Sequence, residues 1–301
     1  CQAVNINNFS IFPIGDLENP TKGQNSRQIN LILDDIKSIQ VPEDSKLSND
    51  ELLGLLEEYN LPKDIKIGIK QLSKEQVYKL FIDLFPKDPN APGSVLPSVA
   101  EHDIETGDAR PVSQAPRRVS MTQRKIIKEH IEALLKAGMI KPSKSPWASP
   151  ILLVPKGENT WRMCIDYRML NAVTKREIYA IPRIDDMIDS LGGSSYFSTL
   201  DLASGYFQIP VKESAKDKTA FISWEGQFAY NFMSFGLVNA PSTFQRTMDT
   251  VLAGLKWNSC QVYLDDIIIY SPTFEKHLID VIAVLTRLRE SGFKIKSSKC
   301  H

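Results

Sequence analysis

No apolar run in the 301 residues approaches the roughly 20 consecutive positions that a bilayer-spanning helix needs, so the sequence excludes a transmembrane segment and no membrane partner is expected. Cysteine is scarce. Cys1, Cys164, Cys260 and Cys300 are scattered with no C-x-x-C spacing, which suggests neither a disulfide framework nor a zinc site and fits a reducing, intracellular setting. Cys300-His301 reads as a strand end rather than the start of a ligand set. Net charge is also missing, with 36 Lys/Arg against 36 Asp/Glu. At 42% hydrophobic and 24% charged residues, the composition excludes a largely disordered chain. The chain opens on Cys1 rather than Met and reads as a piece of a longer protein.

The balance of charge conceals a gradient. Residues 1–109 hold 10 Lys/Arg against 18 Asp/Glu, whereas residues 110–180 hold 14 against 5. A basic stretch inside a neutral protein is the footprint expected of a polyanion-binding face.

Residues 1–95 read as a lead-in, polar at first and helical later. Ser48 with Glu51 and Ser73 with Gln76 have capping-box spacing, and Pro86, Pro89 and Pro92 break the chain after them. A better-defined helix opens at Ser120 with Gln123, lines one face with Ile127, Ile131, Leu134 and Leu135, and closes at Gly138. Its outer face carries Arg124, Lys125, Lys128 and Lys136. Ile151 to Val154 reads as a buried strand, and Trp161 to Arg168 alternates like a half-exposed one. The hairpin they form presents Lys156, Arg162 and Arg168 close together. Further helices are expected at 183–191, 241–254 and 275–291.

Chemistry concentrates at three aspartates. Asp265 and Asp266 stand between Gln261-Val262-Tyr263-Leu264 and Ile267-Ile268-Ile269-Tyr270, a β-branched and aromatic setting that predicts a hairpin broken at the acids. Asp201 ends a similar strand, Tyr196-Phe197-Ser198-Thr199-Leu200, and a small-residue turn follows it. The strand leading to the acid pair ends alike, so the two strands can lie side by side with all three carboxylates converging. Adjacent carboxylates repel and resist ionising when partly buried, and bound divalent cations reverse that cost. Three of them can hold two Mg²⁺ ions while leaving positions open for phosphate oxygens. Lys156 and Arg162 are candidates to meet a triphosphate, and Tyr206, after Gly205, to contact the sugar of a nucleotide.

These residues carry a resemblance. His102 to Gly107, Ser145 to Pro150, Arg162 to Asn171, the Asp201 segment, Lys218 to Phe221, Phe235 to Pro241 and Tyr263 to Asp266 resemble, in order, the boxes of the reverse transcriptase region of gypsy-type LTR retrotransposon Pol polyproteins. The resemblance covers roughly residues 100–301. It implies an α+β right-hand polymerase, with fingers and an antiparallel palm sheet backed by helices over residues 96–301 and the thumb absent, after a lead-in at 1–95. It implies RNA-directed DNA polymerisation with two Mg²⁺, or Mn²⁺, held by Asp201, Asp265 and Asp266. Lys156 and Arg162 would grip the triphosphate, and Tyr206 would be the steric gate against ribonucleotides. Phe235 and Gly236 would floor the nucleotide pocket, with Leu264 beside the primer terminus and Asp166 and Arg168 shaping the fingers.

The partners implied are a primed RNA or DNA template, deoxynucleoside triphosphates and other Pol regions, in the cytoplasm within a virus-like particle or in the nucleus. The sequence departs from the family at Ser234, where Pro is usual, and the family's primer grip, thumb, connection and RNase H regions would follow His301. A second reading, an inactive element-derived remnant that only binds nucleic acid or a protein, shares all of these residues.

Overall fold

The computed structural model describes residues 81–86, 93–157, 160–202, 204–296 and 299–301. The capping boxes expected at Ser48 and Ser73 lie outside the described residues.

Among the described residues, eight strands form two sheets. They are β1 (Ile140–Pro142), β2 (Ser149–Gly157), β3 (Thr160–Ile165), β4 (Tyr196–Asp201), β5 (Phe221–Ser223), β6 (Gly226–Tyr230), β7 (Cys260–Tyr263) and β8 (Asp266–Ser271). One sheet has the order β1-β6-β5-β2-β3 and the other β4-β8-β7. All neighbours are antiparallel except β2 and β5. The longer helices are α1 (Met121–Lys136), α2 (Arg168–Val173), α3 (Ile184–Ser190), α4 (Ala240–Val251) and α5 (Phe274–Glu290). None of the helices in the described residues is long and apolar enough to cross a membrane.

Local chemistry explains most element ends. Ser120 Oγ accepts the Gln123 N–H at 3.2 Å while Gln123 Oε1 accepts the Ser120 N–H at 3.0 Å, the reciprocal cap expected at the start of α1. Gly138 follows α1 at φ +67° and Gly292 follows α5 at φ +84°, left-handed positions that glycine adopts without a Cβ clash. Thr273 Oγ1 accepts the Lys276 N–H at the start of α5.

Three local expectations are corrected. On α1, Ile127 and Ile131 are buried, Leu134 is half-buried and Leu135 is exposed, because one residue beyond Leu134 the helix has turned about 100° off the core. Of the run Ile151 to Val154, expected to be buried, only Ile151 is; Leu152 and Leu153 are half-buried and Val154 is exposed. That strand pairs with β5 only through Ser149 and Pro150 and then runs outward with β3 as a two-stranded arm. Arg168 does not continue β3, which ends at Ile165; it opens α2 and folds back on Asp166.

β7 and β8 are buried on both faces. Val262, Ile267 and Ile269 are fully buried and Ile268 nearly so, with α4 packed on β7 and α5 on β8 and β4. Each such side chain contributes about 1.5–3 kcal/mol through removal from water. The far edge of β4 is covered as well. Thr199 and His301 exchange backbone hydrogen bonds, and Lys296 N–H donates to Asp201 O. Phe81 and Leu84, before the boundary expected at residue 95, are buried in the same core.

Candidate functional site

β4 and β8 pair in register from Tyr196 with Ser271 to Asp201 with Asp266. Directly opposed residues of an antiparallel pair share a face with their Cα atoms about 4.5–5.5 Å apart, so two carboxylates meet at the end of this ladder. The neighbour of the Asp201 strand is therefore β8, which leaves the acid pair, and not β7, which leads to it. The expectation had the other strand, because β8, paired on both sides, is the centre of the sheet and β7 its edge.

Tyr263 pairs with Asp266, so Leu264 and Asp265 form a two-residue hairpin loop. Leu264 has φ +53°, a region that costs an ordinary side chain roughly 1–2 kcal/mol. A buried amide supports it. Gln245 Oε1 accepts the Leu264 N–H at 3.2 Å, and Gln245 Nε2 donates to Val262 O at 3.3 Å and to Asp249 Oδ1 at 3.0 Å. Gln245 has no solvent exposure and sits on α4 beside Phe244.

Asp201 meets a cation already. Lys299 Nζ donates to its Oδ2 at 2.8 Å, brought there by the segment lying along β4. Among the described residues, no three His, Cys, Asp or Glu side chains lie close enough together to enclose a metal ion. The expected convergence of three carboxylates is thus incomplete: Asp201 and Asp266 are opposed, Asp265 occupies the turn, and an ammonium compensates Asp201. Like charges directly opposed repel, and the Lys299 ammonium offsets that repulsion at Asp201.

Next to this edge the backbone turns sharply. Ser204 lies in the left-handed region at φ 53°, and a Cβ on Gly205 would stand 3.0 Å from the Phe244 ring. Tyr206 is buried, stacked on Phe235 at 4.9 Å between centroids and tilted against Phe244 at 5.2 Å. Burial pushes the Tyr206 hydroxyl well above the usual tyrosine range, and the nearby Asp265 charge adds to the shift. Tyr206, Phe235 and Asp265 are thereby brought together. Gly236 has φ +93°, and a Cβ there would meet Ile165 O at 3.4 Å. Asn171 clamps this loop, donating to Gly236 O at 2.8 Å and accepting the Val238 N–H at 3.0 Å.

Lys156 and Arg162 lie exposed on the arm, where Val154 pairs with Arg162 and a register irregularity falls between Pro155 and Gly157. Asp166, buried at the root of the arm, accepts two bonds from Arg168 at 2.8 Å and one from Arg117 at 2.5 Å. Arg168 chiefly holds the Asp166 carboxyl down at about 2. Arg168 is thus committed to Asp166 and is not a third open cation beside Lys156 and Arg162.

Reasoning from sequence missed Gln245 and Lys299. Gln245 carried a faint signal, an amide next to Phe244 among the buried positions Ala240, Phe244 and Met248. Lys299 carried none.

Residues 154–301 match the family model described as reverse transcriptase (RNA-dependent DNA polymerase). The chain is 36% identical over 241 residues, 77% of its length, to the retrovirus-related Pol polyprotein from transposon 297 of Drosophila melanogaster. It is 36% identical over 202 residues, 65% of its length, to that from transposon gypsy of the same fly. This is a reverse transcriptase domain of the gypsy-type Pol family. It spans about a quarter or less of the length of these relatives, 23% and 20%. The reverse transcriptase domain also has the fold of foamy viral protease-reverse transcriptase. The structure of that protein with an RNA/DNA hybrid matches at a TM-score of 0.69 and 25% identity, over 89% of this chain and 36% of the other. Its complex with double-stranded DNA matches at 0.68 and 26%, over 89% and 46%. The two sheets therefore correspond to polymerase fingers and palm, with the aspartates on the palm sheet.

Proposed function

We propose that residues 96–301 act as the fingers and palm of an RNA-directed DNA polymerase, preceded by a lead-in at 1–95. The observation that carries this reading is the register that opposes Asp201 to Asp266, with Asp265 in the adjoining turn. Carboxylate oxygens gathered at one sheet end suit hard divalent cations such as Mg²⁺ or Mn²⁺, with Lys299 as a competitor at Asp201. Asp201, Asp265 and Asp266 would hold two such ions, whose chemistry when bound is to acidify a hydroxyl and to stabilise charge on departing phosphate.

In the reaction, the primer 3′-oxygen forms a bond to the α-phosphorus of a deoxynucleoside triphosphate. The bond from that phosphorus to the β-phosphate bridge breaks, pyrophosphate leaves, and the hydroxyl proton passes to solvent. The chain's own residues position and select. Lys156 and Arg162, exposed on the arm, supply positive charge for the triphosphate. Tyr206, fixed by its stack on Phe235, is a rigid wall where a ribose 2′-hydroxyl would lie, and Gly236 keeps the pocket floor thin. Leu264, at the tip of the aspartate turn, lies beside the primer terminus.

Primer extension on an RNA template tests the reading, with this chain, a form extended by downstream Pol sequence, and an Asp265→Asn control. Mg²⁺-dependent extension lost in the control supports it. Template binding without extension in either form overturns it and leaves a binding remnant.

A further inference from the structure

We infer that Gln245 is a positioning residue for the aspartate turn, acting through the backbone of Leu264. The inference rests on the reading of Asp201, Asp265 and Asp266 as cation-holding residues. Gln245 reaches both sides of the hairpin, accepting from the Leu264 N–H in the loop and donating to Val262 O on β7. One amide thus ties together the loop and the strand before it. Leu264 needs such support, because its φ of +53° disfavours any residue with a Cβ. Were the turn to relax, Asp265 would rotate with it, and Asp266 would lose its register against Asp201.

Gln245 is itself held. Its Nε2 donates to Asp249 Oδ1 one turn along α4, and that carboxylate also accepts Lys256 Nζ at 2.7 Å and the Tyr179 hydroxyl at 2.9 Å. Three side chains, Asp249, Lys256 and Tyr179, therefore orient one amide. The residue is fully buried and touches neither nucleotide nor primer in the reading above, so its action is on geometry and not on the reacting atoms.

The test uses the 301-residue chain and two readouts besides activity: hydrogen exchange at the Leu264 amide and Mn²⁺ affinity by electron paramagnetic resonance. Gln245→Met keeps the length of the side chain and removes both bonds to the hairpin along with the one to Asp249. In a variant that melts cooperatively, Leu264 exchange rises and Mn²⁺ affinity falls by about five- to tenfold each, the loss that a typical hydrogen bond implies. Leu264→Gly placed in that background restores most of the Mn²⁺ affinity, since glycine holds a positive φ unaided. If Gln245→Met does not fold, Gln245→Glu, which keeps an oxygen at the Leu264 amide, retains slow exchange there. Unchanged Leu264 exchange in folded Gln245→Met, or no rescue by glycine, overturns the inference. Absence of Mn²⁺ binding by the unsubstituted chain instead overturns the cation reading, and Leu264 exchange then still decides whether Gln245 sets the turn.

Discussion

Lys299 and Asp201 form an ion pair of 2.8 Å at the end of the palm strand whose last residue also faces Asp266. The ammonium occupies one oxygen of a carboxylate that the proposed chemistry requires for a divalent ion. It offsets the repulsion between opposed acids, and at Asp201 Oδ2 it would compete with a cation held there.

Lys299→Met removes that competitor. Because the lysine is half exposed, the pair is screened, and the expected gain in Mn²⁺ affinity is modest, about two- to fivefold. Titration followed by electron paramagnetic resonance reads it directly. Weaker Mn²⁺ binding by the variant would show that Lys299 organises the site and does not compete for it.

Tyr206 is clamped between Phe235 and Phe244, so its ring cannot swing aside for a bulkier sugar. Tyr206→Val is expected to raise ribonucleotide relative to deoxynucleotide use by roughly 10- to 200-fold, the range that one lost steric contact supplies. It also loses buried aromatic packing, at a cost of about 2–4 kcal/mol in stability. Tyr206→Phe keeps the ring and should preserve discrimination. Competition assays with paired nucleotides separate the two variants, and equal selectivity in both would remove Tyr206 from the gate.

Two buried histidines make stability depend on pH. His102 Nδ1 lies 2.9 Å from Thr243 Oγ1, and His277 lies between Ser198 Oγ at 2.8 Å and Ser271 Oγ at 3.2 Å. Burial lowers both imidazoles from 6.5 to about 4. The unfolded chain therefore binds more protons between those values. The stability held by neutral imidazoles is complete above about pH 6.5 and is lost as the pH falls towards 4, by up to roughly 3 kcal/mol for each group. Thermal melts from pH 7 to 4.5 should show this loss, and His277→Gln should show less of it. An equal slope in the variant would rule His277 out as a contributor.

Arg124, Lys125 and Lys128 are exposed on the outer face of α1, within the basic stretch 110–180. Template binding should weaken steeply with salt, with a log–log slope more negative than about −3 if at least four phosphates are contacted. Replacing two of these side chains with Gln should flatten the slope by about one to two. A flat response in the unsubstituted chain would dissociate the basic stretch from nucleic acid.

Much of the site was legible before any coordinates because its signals are local. Strand-forming residues around Asp201 and around Asp265-Asp266 place Asp201 and Asp266 at strand ends with Asp265 in the turn, and the cap at Ser120 and the breaks at Gly138 and Gly292 bound their helices within a residue or two. The order of the boxes carried the family. Leu135 and Val154 were misjudged for one reason: periodicity shows which residues share a face, but not how far the neighbouring element extends to cover it; Arg168 was misjudged because the strand stops at Ile165 and its guanidinium turns back onto Asp166.

What the sequence determined by itself is therefore the set of elements and the chemistry at their ends, since hydrogen-bonded caps, β-branched runs and paired acids act over a few residues. Only the tertiary structure decided which strand faces Asp201, which amide supports Leu264 and which cation meets the carboxylate. Those relations join residues 65, 19 and 98 positions apart. They depend on sheet order, on the burial of α4 and on the path of the segment along β4, and no short-range pattern encodes them.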